Sequence, residues 1–133
     1  MSEAPQRPGD IGAHAEVLPD LIALVAGLEG QYGKDARWLV EPLLLLARAR
    51  HGVGQYVEAH ADLERARKLA VDNDIPALYG ELDLAMARVL WDGGTDRPGA
   101  RLLAQAAVEA ARRSGMARSL IDAEKWLQEH PAR

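Results

Sequence analysis

Apolar residues recur along this chain at spacings of three and four, the pattern of helices that bury one face. The first stripe is Leu18, Leu21, Ile22, Val25 and Leu28, which predicts a helix near 14–29, with Pro19 in its first turns and Gly30 and Gly33 ending it. A second helix is expected near 36–51, with Asp35 as its cap; Pro42 either kinks it or marks where regular helix begins. A third, near 55–71, has the face Tyr56, Ala59, Leu63, Ala66 and Ala70. Its acids (Glu58, Asp62, Glu64) precede its bases (Arg65, Arg67, Lys68), an order that complements the helix dipole, and Glu64–Lys68 is a favourable four-residue pair.

Asp72-Asn73-Asp74 then breaks the pattern. Asp74 is expected to cap a fourth helix, with Pro76 in its first turn, carrying Leu78, Leu82, Ala85, Met86 and Val89 as far as Trp91. A fifth starts after Asp96, with Pro98 in its first turn, and ends at Ser114-Gly115. A sixth, near 117–129, presents Leu120, Ala123, Trp126 and Leu127 before His130-Pro131 stops it. Composition agrees with six helices and no sheet. Ala and Leu supply 43 of the 133 residues, Val, Ile and Thr only 13, and Phe is absent. The expected fold class is all-α, with short turns joining antiparallel neighbours.

Two helix pairs repeat each other. Leu46-Ala47-Arg48 aligns with Met86-Ala87-Arg88 at an offset of 40, and a glycine turn follows each, Gly52 to Gly54 and Gly93-Gly94. Ala59, Leu63 and Ala66 then align with Ala100, Ala104 and Ala107 at 41, one extra residue in the second turn accounting for the change. Over 41–115 this resembles the tetratricopeptide repeat family. Tyr56, Ala59, Leu63 and Ala66 fit the family's spacing of three, four and three in the second helix, with Leu63 in place of an aromatic, and Ala47 and Ala87 stand where the family prefers glycine. The period of 40–41 is longer than the family's usual length of about 34, and Arg97 stands where the second copy should have an aromatic. The resemblance implies antiparallel hairpins stacked as a short right-handed solenoid, closed by the first and sixth helices.

Composition narrows the function. Without Cys there are no disulfides or thiolate metal sites. A net charge of −4, with bases gathered only at Arg112, Arg113 and Arg118, argues against nucleic-acid binding. No run of about 18 uninterrupted apolar residues is present, so no membrane span is expected. Residues 1–12 lack the basic and apolar regions of a signal peptide and read as a disordered leader to a repeat domain at 13–133, in a cytoplasmic protein.

Chemistry is sparse. Gly27, Gly30 and Gly33 lack the preceding strand and following Lys-Ser/Thr of a phosphate loop. His14, His51, His60 and His130 form no His-x-x-x-His pair, although His51 and His60 can meet across the Gly52–Gly54 turn. Carboxylates such as Asp62 and Glu58 lie on charged faces and read as solvated. Tyr32, Trp38, Trp91 and Trp126 read as core or hairpin-packing residues. No catalytic, cofactor or metal site is expected.

What remains is a surface for another protein or peptide. The resemblance places the first helix of each pair on a concave wall, here Glu41, Leu44, Leu45, Arg48 and His51 from one copy and Glu81, Leu84, Ala85, Arg88 and Trp91 from the other. Arg48 and Arg88 would stand side by side over an apolar floor, suiting an acidic side chain or a terminal carboxylate. The alternative is that both arginines pair with Glu41, Glu81 or Asp83 and only solubilise the face. A non-catalytic adaptor or scaffold is the leading expectation. A regulatory module of a bacterial Ser/Thr kinase or transcription-regulator system, or a small secretion-type chaperone, is the alternative. A homodimer through the first helix is a further possibility, since Ala23, Leu24 and Ala26 are apolar off its main stripe.

Overall fold

Periodicity of this kind folds into helices wherever the turns allow. The computed structural model describes residues 8–132, and among them the chain is all-helical, with no strand. The helices are α1 (Pro8–Tyr32), α2 (Val40–Gly52), α3 (Tyr56–Asp72), α4 (Tyr79–Asp92), α5 (Arg97–Ser114) and α6 (Ala117–Glu129). Each helix packs on the next in sequence; in addition α2 touches α4 and α4 touches α6, while α3 and α5 do not meet. Thus α2, α4 and α6 are neighbours along one side, and α3 and α5 fill the spaces between them on the other.

The interior follows the predicted stripes. Leu39, Val40, Leu43, Leu63, Leu69, Leu82, Met86 and Val89 close around Ala59, Ala66 and Ala70. A second cluster joins Leu84 and Ala87 to Ala100, Ala104, Ala107, Ala123 and Trp126. Each fully buried leucine contributes about 1.5–3 kcal/mol. The alanines let backbones approach, and Gly80 carries this furthest: a Cβ there would stand 3.3 Å from the Ala107 carbonyl and from the Ala111 methyl.

The repeat is visible in the turns themselves. After α2, the Gln55 amide donates to the Arg50 carbonyl (2.8 Å) and that of Gly54 to His51 (3.1 Å). After α4, Thr95 donates to Leu90 (3.2 Å) and Gly94 to Trp91 (3.0 Å), the same closure 40 residues on. Gly54 (φ 85°) and Gly94 (φ 69°) both take the left-handed conformation this closure needs. The extra residue follows as Asp96, after which α5 starts as expected; its carboxylate accepts from the Gly99 amide (2.9 Å) and caps the helix.

Other expectations change. Asp35 and Asp74 cap nothing. One-turn 3-10 helices, Arg37–Leu39 and Pro76–Leu78, lead into α2 and α4, and neither has a side-chain cap. These turns satisfy the first amides through backbone carbonyls, Leu39 to Ala36 and Leu78 to Ile75, so no aspartate is required. Regular α2 begins at Val40, which puts Pro42 in its first turn without a kink. Asp74 instead takes φ 53° behind α3, where the Ile75 amide reaches the Ala70 carbonyl (2.8 Å). Because a left-handed residue is costly for any side chain, Asp74→Gly should raise the unfolding free energy by about 0.5–1 kcal/mol in a urea titration. Lys68 pairs with Asp72 and Glu64 with His60, replacing the expected Glu64–Lys68 pair.

The first helix departs most. It begins at Pro8, so 8–12 of the expected leader are helical, while 1–7 lie outside the described residues. Pro19 consequently sits in the helix interior rather than its first turns. Val25 is the single buried hydrophobic side chain of α1 among the described residues, with Leu18, Leu21 and Leu28 partly covered by the core. Ile11, Val17, Ile22 and Leu24 are 42–45% exposed. Over Ile11–Tyr32 this helix is, by length and composition, apolar enough to cross a membrane. A search for an uninterrupted run misses it because Glu16, Asp20 and Glu29 are interspersed.

Candidate functional site

The ten residues expected on the concave wall separate into two groups, Ala85 joining those in the cavity. Arg48, His51, Glu81, Leu84 and Arg88 line one cavity of about 310 Å³. Its floor is Ala47, Leu63, Ala85 and Val89, and α6 adds Ser119 and Asp122 at the far side. The regular spacing of α2 and α4 brings Arg48 and Arg88 to this cavity, as the offset of 40 implies. The other four lie elsewhere. Leu44 is buried in the core, and Glu41 and Leu45 are exposed on α2 outside the cavity.

Trp91 turns toward the C-terminal end of the molecule. Its ring meets Trp126 edge-on at 5.6 Å and His130 at 5.0 Å, and the Arg97 guanidinium stands 4.8 Å above it. His130 stacks on Trp126 at 4.1 Å and donates from Nδ1 to the Trp126 carbonyl (2.7 Å). Arg97, the first residue of α5, therefore contacts this aromatic group. Of the other aromatics, Tyr32 and Trp38 are 51% and 59% exposed, with ring centroids 6.4 Å apart, and the Arg37 guanidinium stands over the Trp38 ring.

Several of the cavity's polar side chains are already engaged. Arg48 donates to Glu81 across α2 and α4 at 2.9 Å. His51 donates to Asp92 at 2.7 Å, and its ring also meets Tyr56. The alternative reading of paired arginines thus holds for Arg48. Arg88 is exposed and makes no ion pair among the described residues. Of the other two carboxylates considered for this face, Glu41 makes no ion pair among the described residues, and Asp83 binds Arg67 (2.8 Å), whose guanidinium also covers the Tyr79 ring at 4.4 Å. Burial pushes the Asp83 carboxyl above its ordinary range, with Arg67 opposing.

His14 is a wall residue that the sequence does not announce. Its ring lies against Gly52 so closely that a Cβ on that glycine would overlap it. The sequence carries no signal for it, because Gly52 reads there as a turn glycine; in the structure it is the last residue of α2 and has no left-handed φ. His51 and His60 do not meet: His60 pairs with Glu64 at 3.3 Å. Among the described residues no three His, Asp or Glu side chains are grouped to hold a metal ion. Asp62 is not solvated but lies at the α2–α3 contact, bound to Arg50 at 2.9 Å and 3.1 Å.

No family model matches the chain, and neither does any curated protein or solved structure. The fold by itself defines an all-α protein of consecutive helical hairpins with one mixed-charge cavity between α2, α4 and α6.

Proposed function

We propose that this chain is a non-catalytic adaptor of tetratricopeptide-like build, cytoplasmic, which holds an acidic segment of another protein in the cavity between α2, α4 and α6. The observation carrying this reading is that Arg48 and Arg88, 40 residues apart and equivalent in the repeat, line one cavity over an apolar floor. Fork-shaped donors supply orientation there, and the floor supplies area. The tetratricopeptide-like build is supported by the neighbour pattern α2–α4–α6 with α3 and α5 between, and by the identical turns at Gly54 and Gly94. The use of Leu18, Leu21, Val25 and Leu28 of α1 against the core supports reading α1 as part of the domain.

Arg48→Glu combined with Arg88→Glu should lower capture of the partner from native cell extract at least about tenfold, the effect of reversing two recognition charges. Melting temperature should change little, since exposed ion pairs contribute about 0–1 kcal/mol. Unaltered capture sinks the reading, and a large stability loss assigns both arginines an internal role. A second reading, a homodimer through α1, is favoured by the exposure of Ile11, Val17, Ile22 and Leu24. A concentration-independent monomer in sedimentation excludes it.

A further inference from the structure

The ion pair beside the cavity follows a rule that the next repeat breaks. Glu81, on α4, reaches back one helix in the layer to Arg48 on α2. The same step from α6 to α4 should bring a carboxylate to Arg88. The register of α6 is fixed by its buried face: Ala123, Trp126, Leu127 and His130 take the places of Leu82, Ala85, Met86 and Val89, all at an offset of 41. The left-handed residues ahead of the two helices, Asp74 and Gly115, keep the same offset. On this register the residue equivalent to Glu81 is Asp122, and Asp122 does line the cavity. Its side chain is one methylene shorter. It pairs with Arg118 on its own helix at 3.4 Å and makes no ion pair with Arg88.

We infer that Arg88 is the anion-receiving point of the cavity, and that the short side chain at position 122 is what leaves it open. The inference rests on the partner-binding reading and names its chemistry: one aspartate or glutamate carboxylate of the partner segment, flanked by aliphatic side chains that reach Leu84, Ala85 and Val89. Arg48 contributes less, because Glu81 already occupies it. Asp122 sets the length limit; it is a specificity-determining residue rather than a contact for the ligand. Two equivalent arginines therefore have different roles, a distinction the repeat alone would not make.

The probe is acetyl-Leu-Glu-Leu-amide, added to millimolar concentration to the full-length 15N-labelled chain, with the Gln counterpart and free glutarate as controls. In the wild type the glutamate peptide should shift the Arg88 Nε–H resonance and the backbone amides of Leu84 and Ala85. The glutamine peptide should bind about tenfold more weakly, the cost of losing a charge-assisted contact. Asp122→Glu, a conservative change at a partly exposed site, should abolish the Arg88 shift while the amide spectrum otherwise stays that of the folded protein. Glu81→Gln should instead tighten binding by up to about fivefold, since an exposed ion pair competes no more strongly than that. Equal binding to the wild type and Asp122→Glu overturns the inference and leaves the groove standing. Glutarate binding as tightly as the peptide overturns the choice of a protein segment as ligand. No shift in any cavity residue overturns both the inference and the partner-binding reading.

Discussion

Asp62→Leu should destabilise the protein by roughly 2–3 kcal/mol, and the double substitution Arg50→Leu with Asp62→Leu should restore it to within about 1 kcal/mol of the wild type. The pair joins α2 to α3 with side chains only 21% and 13% exposed. Burial pushes the Asp62 carboxyl above its ordinary range despite the attraction of Arg50, so the carboxylate gives up hydration that the pair does not fully return. Arg50 Nε is buried without a hydrogen-bond partner, a further cost. Removing one member strands the other, although Arg50 retains a path to water that keeps the penalty below that of a fully buried charge. The second repeat shows what fits instead: Leu90 takes the place of Arg50 and Leu103 that of Asp62, and both pack against the core. Denaturant midpoints of the four members of the cycle decide the matter. A double variant no better than the worse single one would mean that the leucine pair does not fit in the first repeat.

Trp126→Ala should cost about 3–5 kcal/mol, the largest effect of any single truncation considered. Trp126 is 5% exposed in a cluster otherwise built largely of alanines, so no neighbour is long enough to fill the space. Its ring also carries the contacts of Trp91 and His130. Arg101 adds a second hold on the same end by donating to the carbonyls of Leu127 and His130. The expected result is a lower midpoint of chemical unfolding, with Trp91→Ala costing less because Trp91 is only partly buried. If Trp126→Ala changed stability by under 1 kcal/mol, α6 would not be the closing element of the layer.

These two sites also show what the sequence discloses. Trp126 was legible because it continues an apolar stripe with Ala123 and Leu127, and such stripes report burial directly. The ends of α5 and α6 were legible for a similar reason: Asp96, Gly115 and His130-Pro131 act through local backbone geometry. Asp62 was not, because a charge in a run of charges looks solvated until its partner, 12 residues earlier, is brought beside it by the hairpin. Asp35 and Asp74 misled because a 3-10 turn satisfies the same amides without a side chain. In the cavity, Arg48 and Arg88 could be paired from the repeat alone. Trp91 could not be placed, since one position at a helix end decides between the groove and the aromatic stack. His14 comes from a helix outside the repeated unit.

The composition of α1 has a consequence for how the molecule comes apart. Gly12, Gly27 and Gly30 lie within this helix, and a side chain at any of them would meet nothing within 4 Å. Each forgoes up to about 1 kcal/mol of helix propensity relative to alanine, and Pro19 removes an interior backbone hydrogen bond as well. Set against one buried valine and a few half-covered leucines, α1 is the helix held on with the least free energy. Its release would be a sub-global opening that leaves the α2–α6 layer folded. Because His14 leaves with it, the cavity would lose one wall and Gly52 would become bare backbone. Fraying of the N-terminal helix therefore strips one wall from the cavity while Arg48 and Arg88, already exposed, stay on the folded layer.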